Sequence, residues 1–312
     1  MHNIILPEDT SSNCFDSIVY ALLKYYNFDY EAYNIKYFYT DYYRILPNNI
    51  IYSICRGKSY KNILKDVYDI DFSYKDKHES IDLPDIVHNS LKNNPVGISV
   101  DPYYCHWSPF YHKAHYSHMI LIVDIDYCDK KYVCFDVHYN SCGYVKIDFD
   151  VINENFEDYF IFYFGEVKEV KPELLIDNVR ISLDNFDNNL DAKKAELIDY
   201  FIMNDRKMLF PQNLEASIPL INLMWIVEDK KHFPIALRYI EDKIQKSVFS
   251  SIYRLFSVSE RKFLLLKSVL MKYAISGVLR EETLRSIINQ VFDTDALIVE
   301  QMKTIVEEMK YK

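Results

Sequence analysis

Cys14, His118 and Asp136 are residue types that together do thiol chemistry, and each has a local context that suits the role. Cys14 lies in Ser11-Ser12-Asn13-Cys14-Phe15-Asp16, where Asn13 reads as a helix N-cap and Asp16 as the third helical residue. Cys14 then takes the first helical position. The partial positive charge of a helix terminus and its unsatisfied N–H groups favour thiolate over thiol, which makes Cys14 a candidate nucleophile. His118 opens the apolar run His118-Met119-Ile120-Leu121-Ile122-Val123, and Asp136 lies near the end of Tyr132–Val137. The polar turn Asp126-Tyr127-Cys128-Asp129-Lys130 separates them, so the two runs predict a hairpin. A pairing centred near Tyr127 sets His118 directly across from Asp136, with Cβ atoms about 4.5–5.5 Å apart. In that register Asp136 accepts the Nδ1 proton and Nε2 faces Cys14, the order required of a Cys–His–Asp unit. A slip of the pairing by two residues would replace Asp136 with Cys134 or His138.

The elements that must hold these residues follow from periodicity. Phe15, Ile18, Val19, Leu22, Leu23 and Tyr26 form one stripe of a helix that starts at Cys14. A second helix is expected around Tyr60–Tyr68, and the Tyr-rich stretch Tyr33–Tyr43 fits helix or strand. Strands are expected at Gly97–Val100, His118–Val123, Tyr132–Val137, Tyr144–Phe149 and Tyr159–Phe164. After Glu166–Pro172 the period changes to that of helices, with stretches at Lys194–Met203, Ile218–Val227, Pro234–Ile244, Arg261–Tyr273, Glu282–Val291 and Ala296–Met309. The plan is α+β over residues 1–168, followed by an all-helical domain over residues 169–312.

Composition narrows the class. A net charge of −10 and the lack of a basic patch with regular aromatics argue against a nucleic-acid partner, because phosphate binding needs local neutralisation by Lys and Arg. The N-terminal apolar run Ile4-Ile5-Leu6 is too short for a signal peptide, and no stretch approaches the roughly 18–20 apolar residues of a membrane span. A cytoplasmic protein with no membrane partner is the expectation. The six cysteines, at 14, 55, 105, 128, 134 and 142, read as free thiols, with Cys55 and Cys134 as small buried hydrophobes.

Zinc is the rival to catalysis, since His106, His112, His115 and His118 lie close together beside Cys105. His115 and His118 would face opposite sides of an extended strand, and no CxxC or HExxH pair is present. No metal is therefore expected, and the loop Tyr103–Tyr116 reads as an aromatic, polar rim over a cleft. His115 is the runner-up base and His138 a weaker one. In the helical half, Arg254, Arg261, Lys262, Lys267 and Lys272 read first as a solvated helix face and second as a surface for an acidic partner.

The segments Ser12-Asn13-Cys14-Phe15-Asp16-Ser17-Ile18 and Leu22-Leu23-Lys24-Tyr25-Tyr26, with His118 opening an apolar strand and Asp136 after the hairpin, carry a resemblance. They resemble the papain-like N-terminal domain of the butirosin biosynthesis protein H family, and more distantly the double-glycine cysteine peptidases that process bacteriocins. The likeness covers residues 1 to about 168. It implies a papain-like fold and an acyltransferase of nonribosomal peptide or polyketide antibiotic biosynthesis. It further implies an acyl or peptidyl carrier protein as donor, bearing its own phosphopantetheine, and a small-molecule or peptide amine as acceptor; the chain itself would need no cofactor. Cys14 would be the nucleophile, His118 the base and then the acid, and Asp136 the residue that orients His118. The same triad would also serve a thioesterase, cyclase or peptidase. In the peptidases a Gln six residues before the cysteine donates to the oxyanion; here Glu8 stands there, a carboxylate that would repel the charge. Asn13 or Asn3 could supply a replacement amide.

Overall fold

The computed structural model describes residue 4 and residues 13–38, 62–77, 82–92, 94–136, 143–166, 169–184, 190–210 and 217–309. The chain divides into two compact units, Met1–Tyr30 with Lys61–Val170 and Glu31–Tyr60 with Lys171–Lys312. The first joins an antiparallel sheet to helices, an α+β arrangement, and the described part of the second is helical.

In the first unit, helix α1 (Cys14–Tyr25) starts as its capping residues dictate. Asn13 Oδ1 accepts the Asp16 N–H at 2.9 Å and Asn13 Nδ2 donates to Asp16 Oδ2 at 2.7 Å. The helix stops where Asn27 takes a left-handed φ of 59° and Phe28 N–H bonds back to the Leu23 carbonyl at 2.8 Å. Its stripe of Ile18, Val19, Leu22 and Leu23 is buried. Helix α2 occupies residues 62–68, and α3 (Leu83–Ser90) and α4 (Phe149–Asn155) follow later in the unit.

The strands are β1 (Ile70–Asp76), β2 (Val96–Val100), β3 (His118–Asp126), β4 (Lys131–Phe135), β5 (Tyr144–Asp148) and β6 (Phe156–Phe164). They form one sheet of order β1-β6-β2-β3-β4-β5, every neighbouring pair antiparallel. Because side chains alternate across a sheet, one face carries Val96, Ile98, Ile120, Ile122 and Cys134 against Leu83 and Val87 of α3 and Ile152 of α4. The other carries Phe72, Phe160 and Phe162, on which Phe15 of α1 packs at ring separations of 5.5, 5.8 and 6.3 Å. Gly97 is required here: a Cβ on it would lie 1.9 Å from the Phe160 ring, which covers the bare backbone. β1, α3 and α4 have no counterpart among the elements expected from sequence. Asp71, Ser73, Lys75 and Asp76 weaken the β-character of β1, and its pairing along β6 supplies what propensity lacks.

Tyr30–Phe38, which from Glu31 on belongs to the second unit, is a 3-10 helix, and this settles the described part of the ambiguous Tyr-rich stretch; residues 39–43 lie outside the described ones. The later helices are α5 (Pro172–Asp184), α6 (Leu190–Met203), α7 (Arg206–Leu209), α8 (Ile218–Ile244), α9 (Ser250–Ser276) and α10 (Glu281–Met309). α9 packs against both α8 and α10, around Phe201, Leu223, Phe263, Leu270, Ile288 and Phe292. Two pairs of the stretches named separately in the sequence are each continuous. Ile218–Val227 and Pro234–Ile244 are one helix that runs through Pro234, and Glu282–Val291 and Ala296–Met309 are another. Polar residues inside these helices meet one another: Lys230 Nζ meets Asp295 Oδ2 at 2.6 Å, and Ser259 Oγ donates to Asp295 Oδ1 at 2.5 Å, all buried. Among the described residues no helix is long and apolar enough to cross a membrane.

Candidate active site

Asn13 caps α1, so Cys14 is its first residue and remains partly exposed, with its backbone N–H at the head of the helix. Phe15, one position on, seats that end of the helix on β1 and β6. His118 is the first residue of β3 and pairs with Val100, the last of β2. Asp136 follows Phe135, the last residue of β4. Since neighbouring strands are antiparallel, His118 and Asp136 lie at one end of the sheet, from which residues 101–117 leave and return.

His118 and Asp136 meet there with Nε2 and Oδ2 2.8 Å apart, each side chain 1% exposed. The expected register is corrected. The loop is Tyr127-Cys128-Asp129-Lys130, with Lys130 at a left-handed φ of 51° and Asp129 N–H bonded to Asp126 Oδ1 at 3.1 Å. Val123 then bulges out of the pairing, which ends with Leu121 opposite Phe135. The next step sets Asp136 opposite Ile120, diagonal to His118 rather than across from it. A diagonal neighbour on the same face is still within side-chain reach. The expected ring nitrogen is also corrected: Asp136 takes Nε2 rather than Nδ1, and Cys14 is a second hydrogen-bond partner of the His118 side chain.

Burial works against a charged His118 ring, but the hydrogen bonds to Asp136 and Cys14 and the negative charge of both outweigh it. The His118 pKa rises from 6.5 to about 9, so the imidazolium is favoured at neutral pH. Burial pushes Cys105 up to about 12 and holds Cys134 well above the ordinary thiol value, and neither presents a thiolate. Cys134 is a core residue, in keeping with its apolar strand.

A contact that periodicity could not predict completes the site. Trp107 Nε1–H donates to Asp136 Oδ2 at 2.7 Å, on the oxygen that also meets His118. The only signal in the sequence is that a half-buried indole N–H needs an acceptor, which does not say which one. The Asp136 backbone N–H donates to the Gly143 carbonyl at 2.8 Å, where Gly143 turns the chain at a φ of 77°.

His115, the alternative base, is engaged elsewhere. Its Nδ1 meets Asp101 Oδ2 at 2.5 Å, its ring stacks on Tyr103 at 4.3 Å, and its side chain is 66% exposed. Burial pushes Asp101 up, but the bonds from His115 and from the Tyr103 and Tyr116 N–H groups hold its carboxyl below the usual range. Tyr103, Tyr111 and His112 extend the stack, giving the aromatic segment expected of this loop. Among the described residues no group of three or more His, Cys, Asp or Glu is arranged to hold a metal ion. Glu8, Asn3, Cys55, His138 and Cys142 lie outside the described residues. Asn13 is committed to capping through both ends of its amide.

No protein-family model matches the chain, and no curated protein matches it.

Proposed function

We propose that the chain is a cysteine-dependent acyltransferase with a papain-like first unit, moving an acyl group from a carrier-protein thioester through acyl-Cys14 to an amine. The observation that carries this reading is the hydrogen-bonded line from Cys14 through His118 to Asp136, with Cys14 at a helix N-terminus. In the first step the Cys14 thiolate attacks the thioester carbonyl, the pantetheine C–S bond breaks, and the His118 imidazolium gives its proton to the leaving thiolate. In the second the amine attacks acyl-Cys14, His118 takes the amine proton, and the Cys14 C–S bond breaks to leave an amide. Asp136 holds the ring through both steps. The Cys14 backbone N–H is one oxyanion donor, aided by the helix terminus. With Asn13 spent on the cap, the second donor comes from another group. Water in place of the amine would make a thioesterase or peptidase, and an internal amine a cyclase.

The test is intact-protein mass spectrometry after incubation with a panel of acyl-pantetheine thioesters. The expected result is a mass gain of one acyl group that Cys14→Ala abolishes. No adduct from any donor, with Cys14 no more reactive towards iodoacetamide than exposed Cys128, overturns the proposal.

A docking reading, in which the helical unit binds an acidic carrier-protein helix and Cys14 is not a nucleophile, draws on α9. Leu265 and Ile275 of that helix and Val278 just after its Gly277 cap are 49%, 69% and 67% exposed. Arg254, Arg261, Lys267, Lys272 and Arg280 accompany them, against the single acid Glu260. Lys262 of the same cluster turns onto α10, donating to the Gln290 carbonyl and to Thr294. Ordinary thiol reactivity at Cys14, together with salt-sensitive binding of an acidic carrier protein that Lys272→Glu weakens, would favour docking.

A further inference from the structure

We propose that Trp107 is a positioning residue, whose indole N–H holds the Asp136 carboxylate in the orientation that engages His118. The inference rests on the reading of Cys14, His118 and Asp136 as a catalytic unit. Asp136 Oδ2 receives two N–H donors, Trp107 Nε1 at 2.7 Å and His118 Nε2 at 2.8 Å. The torsion that turns an Asp carboxylate has a broad energy profile, so its orientation is set by the donors that its oxygens meet. A second donor on the oxygen that meets His118 narrows the range of that torsion. The need for it comes from the fold. Because the Val123 bulge sets Asp136 diagonal to His118, strand pairing by itself does not aim the carboxylate.

Trp107 is suited to the task. Its N–H is a donor only, so it cannot exchange roles with the carboxylate, and a bond to an ionised acceptor is stronger than a neutral one. The ring packs against the core beside buried Cys105, and Ser108 N–H closes the turn onto the Cys105 carbonyl at 2.8 Å. Asp101 fixes the same segment by accepting from Tyr103 N–H at 2.9 Å and by holding His115. Through Trp107, the aromatic segment 101–117 acts on the reaction by way of Asp136.

The experiment compares Trp107→Phe, which keeps a ring without the N–H, with Trp107→Gln, which keeps an N–H without the ring. The readouts are the His118 pKa from NMR titration and the pH profile of Cys14 alkylation by iodoacetamide. Neither needs turnover, so a protein that transfers no acyl group still tests the positioning role. In Trp107→Phe the His118 pKa should fall by about one unit, and the alkaline limb of the alkylation profile should move down with it. Trp107→Gln should lie closer to wild type on both readouts even where its unfolding midpoint is lower. A Phe variant that titrates as wild type, a His118 pKa that rises, or a Gln variant shifted further than Phe would overturn the assignment, since a packing role ranks the two variants the other way.

Discussion

Asp136→Asn tests the electrostatics of the site most directly, because it removes a charge and keeps the shape. In the folded protein the His118 pKa stands at about 9 against 6.5 for a free imidazole. That difference corresponds to roughly 3 kcal/mol of preferential stabilisation of the imidazolium, at about 1.4 kcal/mol per unit. Burial pulls the value down, and the hydrogen bonds and charges of Asp136 and Cys14 raise it. A group whose pKa is raised on folding stabilises fully below its unfolded pKa and loses that contribution as pH climbs through its folded pKa. The stabilisation is therefore complete below 6.5 and fades as pH passes about 9. Urea unfolding from about pH 6 to about pH 10 should show wild type losing up to ~3 kcal/mol across that window. Asp136→Asn should be less stable at the acid end and much flatter, with the NMR-titrated His118 pKa dropping towards or below 6.5, since burial then meets less opposition. Stability profiles that run parallel for the two proteins, or a His118 pKa unchanged by the substitution, would refute the reasoning.

Other outcomes follow from the same geometry. Brief iodoacetamide labelling should modify Cys14 ahead of exposed Cys128 and leave buried Cys105 and Cys134 untouched until the protein unfolds, as read by peptide mass spectrometry. His118→Ala should abolish the excess reactivity of Cys14, whereas His115→Ala should preserve it, because His115 is engaged by Asp101. Gly97→Ala forces a Cβ into the Phe160 ring at 1.9 Å. Its cost should be about 1–3 kcal/mol in chemical denaturation, with a change in Cys14 labelling because Phe160 also supports Phe15. Lys230→Met removes the cation from the buried Asp295 carboxylate and should cost about 3–5 kcal/mol, part of which Lys230→Met with Asp295→Leu and Ser259→Ala should recover, as read by chemical denaturation.

What the sequence determined by itself is what short-range physics decides. Asn13, Cys14 and Asp16 lie within one turn, so the cap and the position of Cys14 at the head of α1 are local facts. The apolar runs of β2 to β6 and the change to helical periodicity after Pro172 are local as well, and the α+β plan follows from them. Tertiary structure decided the rest. A hairpin register depends on the loop conformation and on bulges, and the left-handed Lys130 and the displaced Val123 moved Asp136 to a diagonal from His118, where it meets Nε2 rather than Nδ1. Trp107 reached the same carboxylate because a loop distant in sequence folds back over the sheet end, which no periodicity encodes. In the helical unit, the apolar stretches on either side of residues 230 and 295 are separate in the sequence, and an unpaired buried charge between them would be costly. Only the packing of α8, α9 and α10 supplies Lys230, Ser259 and Asp295 to one another, and with each charge met the helices run on through both positions.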